Sequence, residues 1–192
     1  MGSWRDANDP DKGESFYTFG YIDQDTVTAS GQQIAYTPVD NSQGFWMFDS
    51  TSATVNGQTI NQAGNTAIAD TGTTLALVAD ATCKAIYDQI PNSTYDSTQQ
   101  GYLFPSTTTA DQLPVVTFAV GNTQFTVQKE DLSFADAGKY EVCILRVRWL
   151  IFATGNGMVY GGIQSRGTMT FDILGDTFLK SIYAVSSLKY RS

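Results

Sequence analysis

The chain has 192 residues, 42% of them hydrophobic, enough for one ordinary domain with a sizeable core of its own. A net charge of -8 with only 11 Lys and Arg argues against nucleic acid and anionic membranes as partners, because both need a basic face. No histidine is present, so the usual base of Ser and Cys nucleophiles and the commonest zinc ligand are missing, and any catalysis rests on carboxylates.

Abundant Thr, Ser, Gly, Val, Ile, Tyr and Phe, broken by short polar gaps, predict an all-β protein with few helices. Residues 1–15 are charged and turn-rich and read as an exposed lead-in; Met1 to Asp6 is too polar for a signal peptide. Strands are predicted over 16–22 and 33–39, then from Phe45 to Phe48 and from Ala53 to Ile60, the last broken by the hairpin turn Asn56-Gly57. Residues 79–90 place Ala81, Ala85, Ile86 and Ile90 at helical spacing. A second hairpin follows over 115–127 around Gly121-Asn122, and β-like runs return at 160–163, 169–176 and 178–185. No run is long enough to span a bilayer. Cys83 and Cys143 could form one disulfide or none, since their spacing carries no signature.

The stretch from Thr66 to Leu77 carries the chemistry. Apolar residues lead to Asp70, the small residues Thr71, Gly72, Thr73 and Thr74 make a tight turn, and a second apolar run leaves. Such a pattern buries an aspartate at a strand end, within reach of backbone N–H groups and hydroxyls. A carboxylate so held stays ionised in acid, and two that share a proton titrate at separate values, which suits activation of a water. By itself, Asp-Thr-Gly is also an ordinary surface turn.

Here the sequence resembles the pepsin-like aspartic proteases, most closely the fungal ones. The resemblance rests on five motifs in order: Tyr17 to Asp23, Gln43-Gly44-Phe45-Trp46, Ile68 to Thr74, Tyr160 to Ser165, and Phe171 to Lys180. It covers residues 16–185 and implies a pepsin-like acid protease barrel, as a single C-terminal lobe with one or two short helices. It implies that Asp70 is a catalytic aspartate and that Thr71 ties the loop to its counterpart in another lobe. It further implies that Gly72, Thr73 and Thr74 hydrogen-bond a polypeptide substrate, while Ile173, Leu174 and Gly175 support the loop from beneath. The remaining aromatics, Trp46 included, are expected in the core. Such chemistry uses no metal and no cofactor, and the family is secreted. Asn92-Ser93-Thr94 is a glycosylation sequon compatible with secretion.

The pattern departs from the family in three ways. Only one Asp-Thr-Gly occurs, so the chain is expected to be inactive alone and to need an N-terminal lobe, or a second copy of itself, to complete the pair. The lobe's usual disulfide positions hold Ser106 and Val159, which favours two unpaired thiols. Residues 139–154 hold three basic residues and Trp149 in a run apolar on both faces; they read either as a central strand or as an insertion. Codons for Gly138-Lys139-Tyr140 and for Thr154-Gly155 can carry in-frame splice signals, so an unspliced intron is one reading of that insertion. The tail 186–192 is atypical in the same sense. A non-catalytic binding module using the half-cleft is the alternative function, and a β-sandwich carbohydrate-binding module a third.

Overall fold

Short β-branched and aromatic runs punctuated by Asn, Gly and Ser give short strands. The computed structural model describes residues 1–2, 15–137 and 157–187, and thirteen strands and three α-helices lie among them. In chain order come α1 (Gln24–Ser30), β1 (Met47–Asp49), β2 (Ser52–Val55), β3 (Gln58–Asn61), β4 (Thr66–Ala69), β5 (Ala76–Val78) and α2 (Asp80–Tyr87). They are followed by β6 (Thr94–Asp96), β7 (Gly101–Pro105), β8 (Val116–Val120), β9 (Thr123–Thr126), β10 (Ser133–Ala137), β11 (Met158–Gly161), β12 (Ile163–Ser165), β13 (Asp172–Leu174) and α3 (Asp176–Leu179). The strands make three sheets, ordered β1-β4-β13-β5-β12, β10-β11-β7-β6 and β3-β2-β8-β9. The fold is mostly β, that of a pepsin-like lobe. Among the described residues the three sheets are open.

Both expected hairpins form. Asn56 and Gly57 have φ of 49° and 79°, the two left-handed residues that a type I′ turn requires, and β2 pairs with β3 directly across them. The Asn56 side chain also accepts a hydrogen bond from the Val115 N–H at 2.9 Å, tying the turn to the start of β8. In the β8–β9 turn only Gly121 has positive φ, at 59°, as a type II′ turn needs.

The expected helix over 79–90 is α2, rotated from the predicted face. Thr82, Cys83, Ile86 and Tyr87 are buried and Ile90 continues the stripe, while Ala81 is exposed. Cys83 is a free, buried thiol, and its pKa is pushed up to about 12, first by burial and then by Asp80 and Asp172. Phe118 and Phe178 meet edge to face at 6.2 Å in the centre of the core.

The few short helices expected are present, and three are described. Of these α1 escapes apolar periodicity because it buries nothing and is held by its ends: the Asp23 carboxylate accepts from the Thr26 N–H at 3.2 Å, and Gly31 closes it with φ 63°. Two expectations fail. Residues 178–185, expected as β, contribute the end of α3 and a turn. Residues 16–22 and 33–39 are not strands. Among the described residues Phe16 makes only an isolated bridge to Gly2, 33–39 pairs with no strand, and Tyr36 is 70% exposed. A β-like sequence needs a partner to become a strand.

Most of the lead-in, the segment 139–154 with Cys143 and Trp149, and the end of the tail lie outside the described residues. The flanks of that segment are described: β10 and β11 pair antiparallel, and Ala137 stands opposite Met158.

Candidate active site

β4 and β5 are consecutive in sequence and joined by residues 70–75, yet they are not neighbours. β13 runs between them, parallel to β4 and antiparallel to β5. The loop that begins with Asp70 must therefore cross the end of β13, where Leu174 and Gly175 emerge. The crossing is bonded on both sides. The Asp70 N–H donates to the Leu174 carbonyl at 3.2 Å, and the N–H groups of Asp176 and Thr177 donate to the carbonyls of Thr73 and Thr74, each at 2.9 Å. The Thr177 hydroxyl adds a second bond to the Thr74 carbonyl at 3.1 Å.

Gly175 explains how two backbones come so close. A Cβ there would lie 2.1 Å from the Thr73 carbonyl oxygen and 2.4 Å from that of Leu75. Only a residue without a side chain admits the loop. Leu174 is fully buried beneath the crossing and Ile173 half-buried beside it.

The Asp70 carboxylate is half-buried and held by its own loop. Oδ1 accepts from the Gly72 N–H at 2.9 Å and Oδ2 from the Thr73 hydroxyl at 2.7 Å. Thr71, Gly72 and Thr74 are exposed. The sequence-predicted residues 70–74 and 173–175 are thus brought together, while Asn92 lies apart, on an exposed turn after α2.

The fifth motif contains Asp176 and Thr177, but sequence reasoning gave them no role; a Gly-Asp-Thr run at a helix start, where exposed N–H groups are expected, is the local signal for one. Sequence reasoning also placed Trp46 in the core, whereas Trp46 is 36% exposed and its carbonyl accepts from the Ala69 N–H at 3.3 Å, steadying the strand just before Asp70. A hollow of about 330 Å³ opens beside Trp46 and Ala69, lined also by Ile34, Tyr36, Phe48 and Phe178, and Asp70 is not part of its wall.

Asp70 is thus presented on a short loop that straddles a central strand of a mostly β lobe. The family model for eukaryotic aspartyl proteases matches residues 5–190, and the chain belongs to that family, as a fungal-type, pepsin-like member. It is 42% identical over 169 residues to aspergillopepsin-1 of Aspergillus pseudoglaucus, and equally to that of Aspergillus oryzae; each alignment covers 88% of this chain and 37% of the relative. Penicillopepsin-3 of Penicillium janthinellum is 36% identical over 169 residues, covering 88% of this chain and 38% of the relative. The chain thus spans little more than a third of the length of the curated relatives it matches.

Proposed function

We propose that this chain is the C-terminal lobe of an acid endopeptidase, in which Asp70 is one of two aspartates that activate a water against a peptide bond. The observation that supports this reading is the crossing of 70–75 over β13, which holds the carboxylate by two hydrogen bonds and turns Thr71 and Gly72 outward. In the reaction the water oxygen attacks the peptide carbonyl carbon as one carboxylate takes its proton. The C–N bond then breaks as a proton passes to the amine nitrogen. Gly72, Thr73 and Thr74 would bind the backbone of an extended polypeptide with bulky apolar side chains, and Ile173, Leu174 and Gly175 hold the loop in place.

The second aspartate comes from an N-terminal lobe or from another copy of the chain, and we propose that the chain alone is inactive. Tyr17, Phe19 and Tyr21 are 63%, 87% and 67% exposed, an aromatic surface of the sort that a partner covers. Export to the extracellular space is proposed from the resemblance to secreted family members. A binding module is the second reading, favoured by the apolar hollow beside Trp46.

Cleavage of a quenched peptide in acid tests this. The chain alone is expected to be silent. Mixed with the separately produced N-terminal lobe of an aspergillopepsin, it should gain activity that Asp70→Asn lowers by about 10²–10⁴-fold, the usual contribution of a positioned acid-base group. Cleavage that survives Asp70→Asn sinks the proposal. So does a mixture in which the lobes are seen to bind and no peptide is cut, an outcome that leaves the binding module standing.

We further propose that residues 139–154 are an insertion that the lobe does not need. Ala137 and Met158 already face each other across β10–β11, so Gly-Asn156-Gly157 would close the hairpin, and Gly157 already has φ 71°, the left-handed residue that ends a three-residue turn. Replacing 138–155 by one Gly is expected to raise stability in urea by roughly 1–2 kcal/mol, from the shorter loop. A variant that fails to fold would show that the segment belongs to the lobe.

A further inference from the structure

The one sequon that the proposed activity leaves unused sits where a glycan can be carried. Pro91 and Asn92 are the central residues of a turn closed by the Ser93 N–H donating to the Ile90 carbonyl at 3.1 Å, and Asn92 has φ 59°. Proline first and a left-handed Asn second is the residue pair of a type II turn. The turn puts Asn92 at an exposed corner, and no group among the described residues hydrogen-bonds its carboxamide. The middle residue of the sequon is drawn the other way: the Ser93 hydroxyl donates to the Tyr87 carbonyl at 2.5 Å, at the end of α2. Thr94 is exposed on β6, and β6 is the outermost strand of its sheet. The corner thus projects from the rim of a sheet other than the one that carries Asp70.

We propose that Asn92 is an N-glycosylation site, modified by an oligosaccharide carried on a lipid pyrophosphate. The Asn92 Nδ2 forms a bond to the anomeric carbon of the donor's reducing-end sugar, the bond from that carbon to the phosphate oxygen breaks, and the lipid pyrophosphate leaves as Nδ2 gives up a proton. The free carboxamide supplies the nucleophile, and the exposed corner leaves room for the product. The inference rests on the export proposed above, and the test supplies export itself, so that failure at Asn92 is separable from failure of that reading.

The full chain, directed into a yeast secretory pathway by a host leader, is recovered from the lumen or medium and its intact mass measured. One glycan is expected, removable by an amidase that cuts sugar from Asn and leaves aspartate at position 92. Asn92→Gln and Thr94→Ala are each expected to abolish it; the second leaves the turn residues untouched, so a folding defect at Asn92 cannot imitate the result. Translocated wild-type chain of unmodified mass, or a glycan that persists in Thr94→Ala, would overturn the proposal.

Discussion

Gly175→Ala is expected to lower the stability of the lobe by about 3 kcal/mol, the upper end of the cost of overpacking. The added methyl would stand 2.1 Å and 2.4 Å from two carbonyl oxygens, and both belong to backbone that cannot swing aside as a side chain would. To admit it, residues 73–75 must lift from β13. That motion breaks the bonds from Asp176 and Thr177 to the Thr73 and Thr74 carbonyls, so the damage falls on the segment that presents Asp70. A fall in Tm of about 6–12 °C follows for a domain of this size. Gly72→Ala makes the contrast. Gly72 is exposed and its Cβ would lie 3.2 Å from the Asp70 Oδ1, a side-chain atom, so the cost should stay under about 1 kcal/mol. Equal losses in the two variants, read by thermal melts, would mean that the crossing is not the tight point described here.

Arg166→Met is expected to cost about 3–5 kcal/mol near neutral pH, the penalty for leaving a buried charge without its partner. Asp172 is fully buried. Its Oδ1 accepts from Arg166 Nη1 at 2.7 Å and its Oδ2 from Asn65 Nδ2 at 2.8 Å, while Asn65 also bonds the Ser50 carbonyl at 3.0 Å. Burial pushes the Asp172 carboxyl above its ordinary value, and Asn65 and Arg166 pull it partly back. A carboxyl raised in the fold binds its proton more tightly there than in the unfolded chain. It therefore favours the fold below the unfolded value, and that favour is lost as pH rises through the folded value. Removing Arg166 takes away part of the pull and enlarges the effect. The variant should thus lose more stability at about pH 7 than at about pH 4, where protonation relieves the buried charge. Adding Asp172→Asn should restore most of the loss. Urea melts at the two pH values check both points, and a deficit independent of pH would show that Arg166 acts through packing alone.

The site was legible where it is local. Asp70 with its run of small residues, the Asn56-Gly57 and Gly121 turns, and the helix after residue 79 all rest on chemistry within a few residues of chain, and all are present. Ile173, Leu174 and Gly175 entered only through resemblance. Nothing in their composition says what they touch. Segments 16–22 and 33–39 carry the side chains of strands and have no ladder partner among the described residues, and α1 is helical through its caps although it buries no residue.

By itself the sequence carried the resemblance to the family in five ordered motifs, and it determined the turns, because turn chemistry acts over short spans. Only the tertiary structure decided that β13 enters between two consecutive strands, that Gly175 must lack a side chain, and that Thr177 reaches back to Thr74 across 103 positions. Those contacts join residues whose separation no local preference encodes, and they form only once the sheet has brought its strands into register.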